Sequence, residues 1–136
     1  MLLESKRIFV VEDDSSNLAI IRTILLRQGA SVPFDVWGKG TMEILRNSMP
    51  IDLILLDLAL PRGVSGYDVF DQIRSTPELA KIPVVIVTAA DPSTEMVKAR
   101  TKGVNGFISK PIKYGTFAHS VAAVLEGKPV WDDSSI

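Results

Sequence analysis

Polar groups able to do chemistry close four apolar runs in this chain. Glu12-Asp13 follows Arg7-Ile-Phe-Val-Val11, Asp57 follows Leu53-Ile-Leu-Leu56, Thr88 ends Pro83-Val-Val-Ile-Val-Thr, and Lys110 follows Gly106-Phe-Ile-Ser109. Carboxylates held at short range raise one another's pKa unless a cation sits among them, which calls for a hard, oxygen-binding ion. Mg2+ fits best, because it accepts one or two carboxylates and completes its octahedron with water and phosphate oxygens. A carboxylate beside such an ion, with a hydroxyl and an ammonium at hand, is equipped to accept a phosphoryl group. In that reading Asp57 attacks, the ion and Lys110 neutralise the phosphoryl oxygens, and Thr88 donates a hydrogen bond.

Each group taken singly has a plainer reading. Asp57 could open a turn toward Pro61, and Glu12-Asp13-Asp14 could be a solvated turn before a helix N-terminus. Thr88 alone is a strand former, Lys110 alone a surface lysine, and Phe107 alone a core aromatic. The joint placement of Glu12-Asp13, Asp57, Thr88 and Lys110, each at the end of a separate run, is what points to a site.

The elements that must position them are read from the same runs. Leu53 to Leu56 is apolar at every position, as suits a strand covered on both faces, and Pro83 to Thr88 is the most β-branched stretch. After Asp14, Ser15-Ser-Asn17 supplies helix N-cap candidates, and Leu18, Ile20, Ile21, Ile24 and Leu25 recur at helical spacing until Gly29. Ala30 to Trp37 is expected as a second strand, with Pro33 arguing for an edge position or a bulge. Helices are expected at Thr41–Asn47, Tyr67–Ser75, from Asp91-Pro92 to Gly103, and from Lys113 to Glu126. The helix after Asp91 is polar and only weakly amphipathic.

Five strand-helix alternations predict an α/β fold: a doubly wound (βα)5 sandwich around a five-stranded parallel sheet of order 2-1-3-4-5. In that order the first and fourth strands flank the third at roughly 5 Å spacing, so all the polar groups meet at the carboxyl edge. Lys110 starts two strand spacings away, roughly 10 Å, a gap its long stem can largely cover. Val130-Trp131 and the residues to Ile136 read as a loosely held tail, too short to be an element.

Length and composition agree. A chain of 136 residues is one domain's worth, and 46% hydrophobic with 23% charged residues is ordinary for a globular protein. Fifteen basic against 16 acidic residues, with no Lys/Arg-rich block, argue against direct nucleic-acid binding. The absence of cysteine excludes disulfides and thiolate metal sites and fits a reducing compartment. No signal peptide and no bilayer-spanning stretch is legible, so the expectation is a soluble, cytoplasmic protein.

On the motifs Val-Val-Glu12-Asp13-Asp, Leu-Leu-Asp57-Leu-Ala-Leu-Pro61, Val-Val-Ile-Val-Thr88-Ala and Gly-Phe107-Ile-Ser-Lys110-Pro111, residues 5 to 126 resemble the receiver domain of two-component response regulators. The resemblance implies that Asp57 is the phosphoacceptor for a histidine kinase or phosphotransfer protein, and that Glu12 and Asp13 form the acidic pair, with Asp13 and the carbonyl of Ala59 as Mg2+ ligands. It further implies that Thr88 and Lys110 bind the phosphoryl group and that Phe107 couples to Thr88 on activation. The chain is expected to be a stand-alone switch, residues 127–136 a short tail with no output domain. It is expected to act on a downstream protein, or on a second copy of itself, through its fourth helix, fifth strand and fifth helix.

Three departures from the family pattern stand out. The Pro61–Gly66 loop is one residue longer than usual. The Ala30–Gly40 region is about two residues longer and carries Trp37 where a small residue is usual, and Leu60 replaces a common Met. Ala59 and Ala90 flank the site with no polar side chain. The alternative reading is a receiver-fold interaction module not governed by phosphate. An Mg2+-dependent phosphatase would require a second acid where Ala59 stands.

Overall fold

The computed structural model describes residues 1–132. Six parallel strands, β1 (Ile8–Val11), β2 (Phe34–Asp35), β3 (Leu53–Leu56), β4 (Val84–Thr88), β5 (Gly106–Ser109) and β6 (Val130–Asp132), form one sheet of order β2-β1-β3-β4-β5-β6. Five helices connect them: α1 (Ser15–Arg27), α2 (Thr41–Asn47), α3 (Gly66–Ser75), α4 (Pro92–Lys102) and α5 (Phe117–Leu125). The expected order 2-1-3-4-5 is present, with one strand added beyond β5.

Every residue of β1, β3, β4 and β5 is buried, because alternate side chains enter two separate cores. Phe9, Val11, Ile54, Leu56, Ile86 and Phe107 pack on one face with Leu45 of α2, Val69, Phe70 and Ile73 of α3, and Ala99 of α4. Ile8, Val10, Leu53, Leu55, Val85 and Val87 pack on the other with Ile21, Ile24 and Leu25 of α1 and Phe117, Val121 and Val124 of α5. Truncating one of these fully buried leucines costs about 2–5 kcal/mol. The strand ends are therefore held on a rigid platform.

Four expectations change. The second strand is only two residues long: Pro33 has no amide hydrogen to give, so it serves only as an acceptor, for the amide of Val10 at 3.0 Å. An isolated bridge between Arg7 and Ser31 is what remains of the longer pairing. The N-cap of α1 is Asp14, one residue earlier than the serine and asparagine candidates, its carboxylate accepting from the Asn17 amide at 2.9 Å. The last helix begins at Phe117, not Lys113, because residues 113–116 form a turn closed by the Thr116 amide on the Lys113 carbonyl.

The fourth change is the largest. Val130–Asp132, expected as a loose tail, pairs with β5 in register Gly106↔Val130, Phe107↔Trp131 and Ile108↔Asp132. Gly127, at φ 85°, reverses the chain after α5, and Trp131 packs against the first core with the Arg100 guanidinium 4.5 Å above its ring. Residues 133–136 of the expected tail lie outside the described residues.

α4 is held least. Asp91 caps it through the Ser93 amide, Pro92 opens it and Gly103, at φ 91°, closes it, yet Ala99 is its one buried residue and Val97 is 65% exposed. Among the described residues no helix is long and apolar enough to cross a membrane.

Candidate functional site

The strand order brings the ends of β1, β3, β4 and β5 to one edge, and the side chains there converge. Lys110 leaves the end of β5, passes the end of β4, and places Nζ 2.7 Å from Glu12 Oε1 and 3.0 Å from Asp57 Oδ2. Its own backbone amide donates to the Thr88 carbonyl at 2.8 Å, so the lysine is fixed at its root as well as at its tip.

Asp57 is 7% exposed and is held by backbone on one side. Its Oδ1 accepts from the Leu58 amide at 2.7 Å and more distantly from the Ala59 amide at 3.4 Å. Its own amide donates to the Val11 carbonyl at 3.2 Å, which ties β3 to the strand carrying the acidic pair. One carboxylate oxygen is thus oriented by amides and the other is paired with an ammonium.

Glu12 is 2% exposed, and its second oxygen accepts from the Asp14 amide at 3.2 Å. Burial pushes its carboxyl up to about 7, with the neighbouring Asp57 charge adding to the rise and Lys110 opposing it. Burial acts to lower the Lys110 pKa, but the hydrogen bonds and charges of Glu12 and Asp57 outweigh it and raise the ammonium above its ordinary value. Asp13 is exposed, at the rim. One ligand oxygen each from Glu12, Asp13 and Asp57 lie within 4.8 Å of one another. This all-oxygen donor set, one member open to solvent, suits a hard divalent cation that keeps several waters.

Thr88 is 1% exposed, and its hydroxyl accepts from the Ala90 amide at 3.2 Å. A hydroxyl used as an acceptor keeps its own proton for donation. Phe107 is fully buried in the core beneath α2, α3 and α4, opposite Ile86 on β4 and Trp131 on β6. Strand alternation puts the Thr88 side chain on the same face as Ile86, and therefore on the face where Phe107 packs.

Several features of the site were not anticipated. Asp35, at the end of β2, adds another carboxylate to this edge, but its Oδ2 accepts from the Thr41 hydroxyl at 2.6 Å and its carbonyl from the Glu12 amide at 3.3 Å. Gly66, the first residue of α3, lies against the backbone of Asp57 and Leu58, and its amide donates to the Leu58 carbonyl at 2.8 Å. The loops carrying Trp37 and Arg62 also meet: Arg62 Nη2 donates to the Trp37 carbonyl at 2.8 Å. A bond between side chain and carbonyl across 25 positions leaves no local signal. The glycine between Ser65 and Tyr67 was visible, but not its reason.

Residues 8–122 match the family model described as the response regulator receiver domain. The chain is 29% identical over 121 residues to the protein PilH of Pseudomonas aeruginosa, covering 89% of this chain and 98% of that one. It is 31% identical over 121 residues to the polar-differentiation response regulator DivK of Brucella ovis, covering 89% and 97% respectively. Among solved structures it superposes on the phosphorylated cyanobacterial phytochrome response regulator RcpA with a TM-score of 0.72 at 30% identity, covering 89% of this chain and 91% of that one.

Proposed function

We infer the role of each site residue from one premise: the chain belongs to the response regulator receiver domain family. It is a phosphorylation-controlled switch of two-component signalling, a signalling device and not a typical enzyme. The observation that carries the residue assignment is the Lys110 ammonium seated between the buried carboxylates of Glu12 and Asp57.

Asp57 is the phosphoacceptor. Its carboxylate attacks the phosphorus of a phosphohistidine on a histidine kinase or phosphotransfer protein. The P–N bond breaks with its electron pair left on the imidazole nitrogen, and a new P–O bond leaves an acyl phosphate on Asp57. The amides of Leu58 and Ala59 orient the attacking carboxylate, Lys110 moves from carboxylate to phosphoryl oxygen, and the Thr88 hydroxyl donates to the same group. Glu12, Asp13 and Asp57, with the carbonyl of Ala59, would hold Mg2+, which would supply charge neutralisation for the phosphoryl oxygens. The same residues, with water as the acceptor, return the site to its free state.

Movement of Thr88 toward the phosphoryl group alters the packing of the face on which Phe107 sits, and this relays the site to α4, β5 and α5, where a downstream protein binds. Loss of phosphorylation-dependent partner binding in Phe107→Ala supports the relay, and unchanged binding sinks it. The primary test is intact-mass measurement after incubation with a small-molecule phosphodonor and Mg2+. One added phosphate is expected on the unaltered chain and none on Asp57→Asn. No adduct with any donor would overturn the assignment in favour of a receiver-fold interaction module indifferent to phosphate.

A further inference from the structure

The β2–α2 and β3–α3 loops are joined by hydrogen bonds that run round one side of the site. From Glu12, the amide donates to the Asp35 carbonyl at 3.3 Å, and the Asp35 carboxylate accepts from the Thr41 hydroxyl at 2.6 Å. Thr41 Oγ1 in turn accepts from the Gly38 amide at 2.9 Å, and Thr41 is fully buried. The neighbouring Trp37 carbonyl accepts from Arg62 Nη2 at 2.8 Å, while the Trp37 side chain, 8% exposed, is sunk in the core with Leu58 and Leu60.

From Arg62 the path returns to Asp57. The Val64 amide donates to the Pro61 carbonyl at 3.3 Å, the Leu60 amide to the Val64 carbonyl at 3.1 Å, and Ala59 bridges to Ser65. Asp57 then closes on β1 through the Val11 carbonyl. Arg62, at φ 59°, ψ 33°, and Gly63, at φ 69°, are the two central residues of the turn that the Val64 amide closes on the Pro61 carbonyl, which sets the left-handed backbone of both. The Arg62 guanidinium bond to a carbonyl 25 positions away ties that turn to the β2–α2 loop. The bond thereby fixes the loop that begins at Ala59.

We propose that Arg62 is a positioning residue for the metal side of the phosphorylation site, latching the β3–α3 loop to the β2–α2 loop so that the segment carrying Ala59 is held in one position beside Glu12, Asp13 and Asp57, which would hold the ion. The proposal rests on the assignment of those residues as the Mg2+ site. The Arg62 guanidinium passes beside Gly38, where an added Cβ would be in ordinary contact with Nη2 at 3.5 Å.

The test is calorimetric titration of the chelator-treated 136-residue chain with Mg2+. Arg62→Gly removes the latch while relieving the left-handed backbone, so thermal stability is expected to hold while the Mg2+ dissociation constant rises about threefold or more, the scale of one net hydrogen bond. Arg62→Lys, which keeps one donor, is expected to recover part of the affinity. Asp13→Asn serves as the control on the site itself. If Asp13→Asn binds Mg2+ as tightly as the unaltered chain, the site assignment fails and the latch with it. If Asp13→Asn loses Mg2+ while Arg62→Gly binds it unchanged, the site stands and the latch is overturned. A fall in melting temperature of Arg62→Gly without a change in Mg2+ affinity also overturns it, because that is what a merely structural bond would give.

Discussion

Lys110 and Glu12 form the shortest ion pair among the described residues, 2.7 Å between Nζ and Oε1, although they enter the site from strands separated in the sheet by both β3 and β4. The same ammonium is shared with Asp57 at 3.0 Å, and the side chains are 9%, 2% and 8% exposed for Lys110, Glu12 and Asp57. One cation thus compensates two carboxylates that are almost out of water.

Removing that cation leaves two buried charges uncompensated, so Lys110→Met should destabilise the chelator-treated protein by about 3 kcal/mol. Added Mg2+ should recover part of the loss. Urea unfolding with and without Mg2+ checks both statements, and a variant as stable as the unaltered chain in chelator would show that the pair contributes little.

Glu12 predicts a pH dependence with a definite sign. Its folded pKa of about 7 lies above the ordinary 4.5, so between those values the folded state holds a proton that the unfolded chain has released. That contribution is complete below the ordinary value and is lost as pH rises through 7. In chelator, the stability difference between the unaltered chain and Glu12→Gln should therefore shift against the unaltered chain as pH rises from about 5 to about 8. A pH-independent difference would contradict it.

Gly66 bears on the phosphoacceptor without any side chain of its own. A Cβ there would collide with the Asp57 carbonyl oxygen and stand 2.8 Å from Leu58 Cα, both of them backbone. Gly66→Ala should cost roughly 1–3 kcal/mol by overpacking and slow labelling of Asp57 by a small phosphodonor. Unfolding curves and labelling rates measured on one preparation would reveal whether the two effects travel together.

Trp131 should be the anchor of β6. Trp131→Ala removes its packing on the first core and the Arg100 contact, at a cost of about 1 kcal/mol, and should speed hydrogen exchange at Val130–Asp132 before any other strand. Unchanged exchange there would mean that backbone pairing alone holds the strand.

What could be read from the residues followed how local each cause was. Asp57, Thr88 and Lys110 were legible because each ends or follows a short, largely apolar run, and such runs are strands whose ends share an edge. Glu12 and Asp13 were legible for the same reason on β1. The second strand was overread as Ala30 to Trp37 because that stretch is rich in apolar and β-forming residues, whereas Pro33 leaves only Phe34–Asp35 paired. Val130–Asp132 was missed because three residues carry no periodicity, and their reason for being a strand, the open side of Gly106–Ser109, lies more than twenty positions away. The loop lengths around Trp37 and Arg62 were visible as departures, but their meeting depends on how the sheet sets β2 and β3 either side of β1.

The place of β6 also bears on how the molecule keeps to itself in concentrated solution. A parallel sheet ends in two rows of backbone groups that invite pairing with another chain. Here one row is cut to Phe34–Asp35 and interrupted by Pro33, and the other, along Gly106–Ser109, is taken by Val130–Asp132. A fragment stopped at Glu126 would uncover that second row and become a template for its neighbours, so a well-behaved excised domain has to run through Asp132.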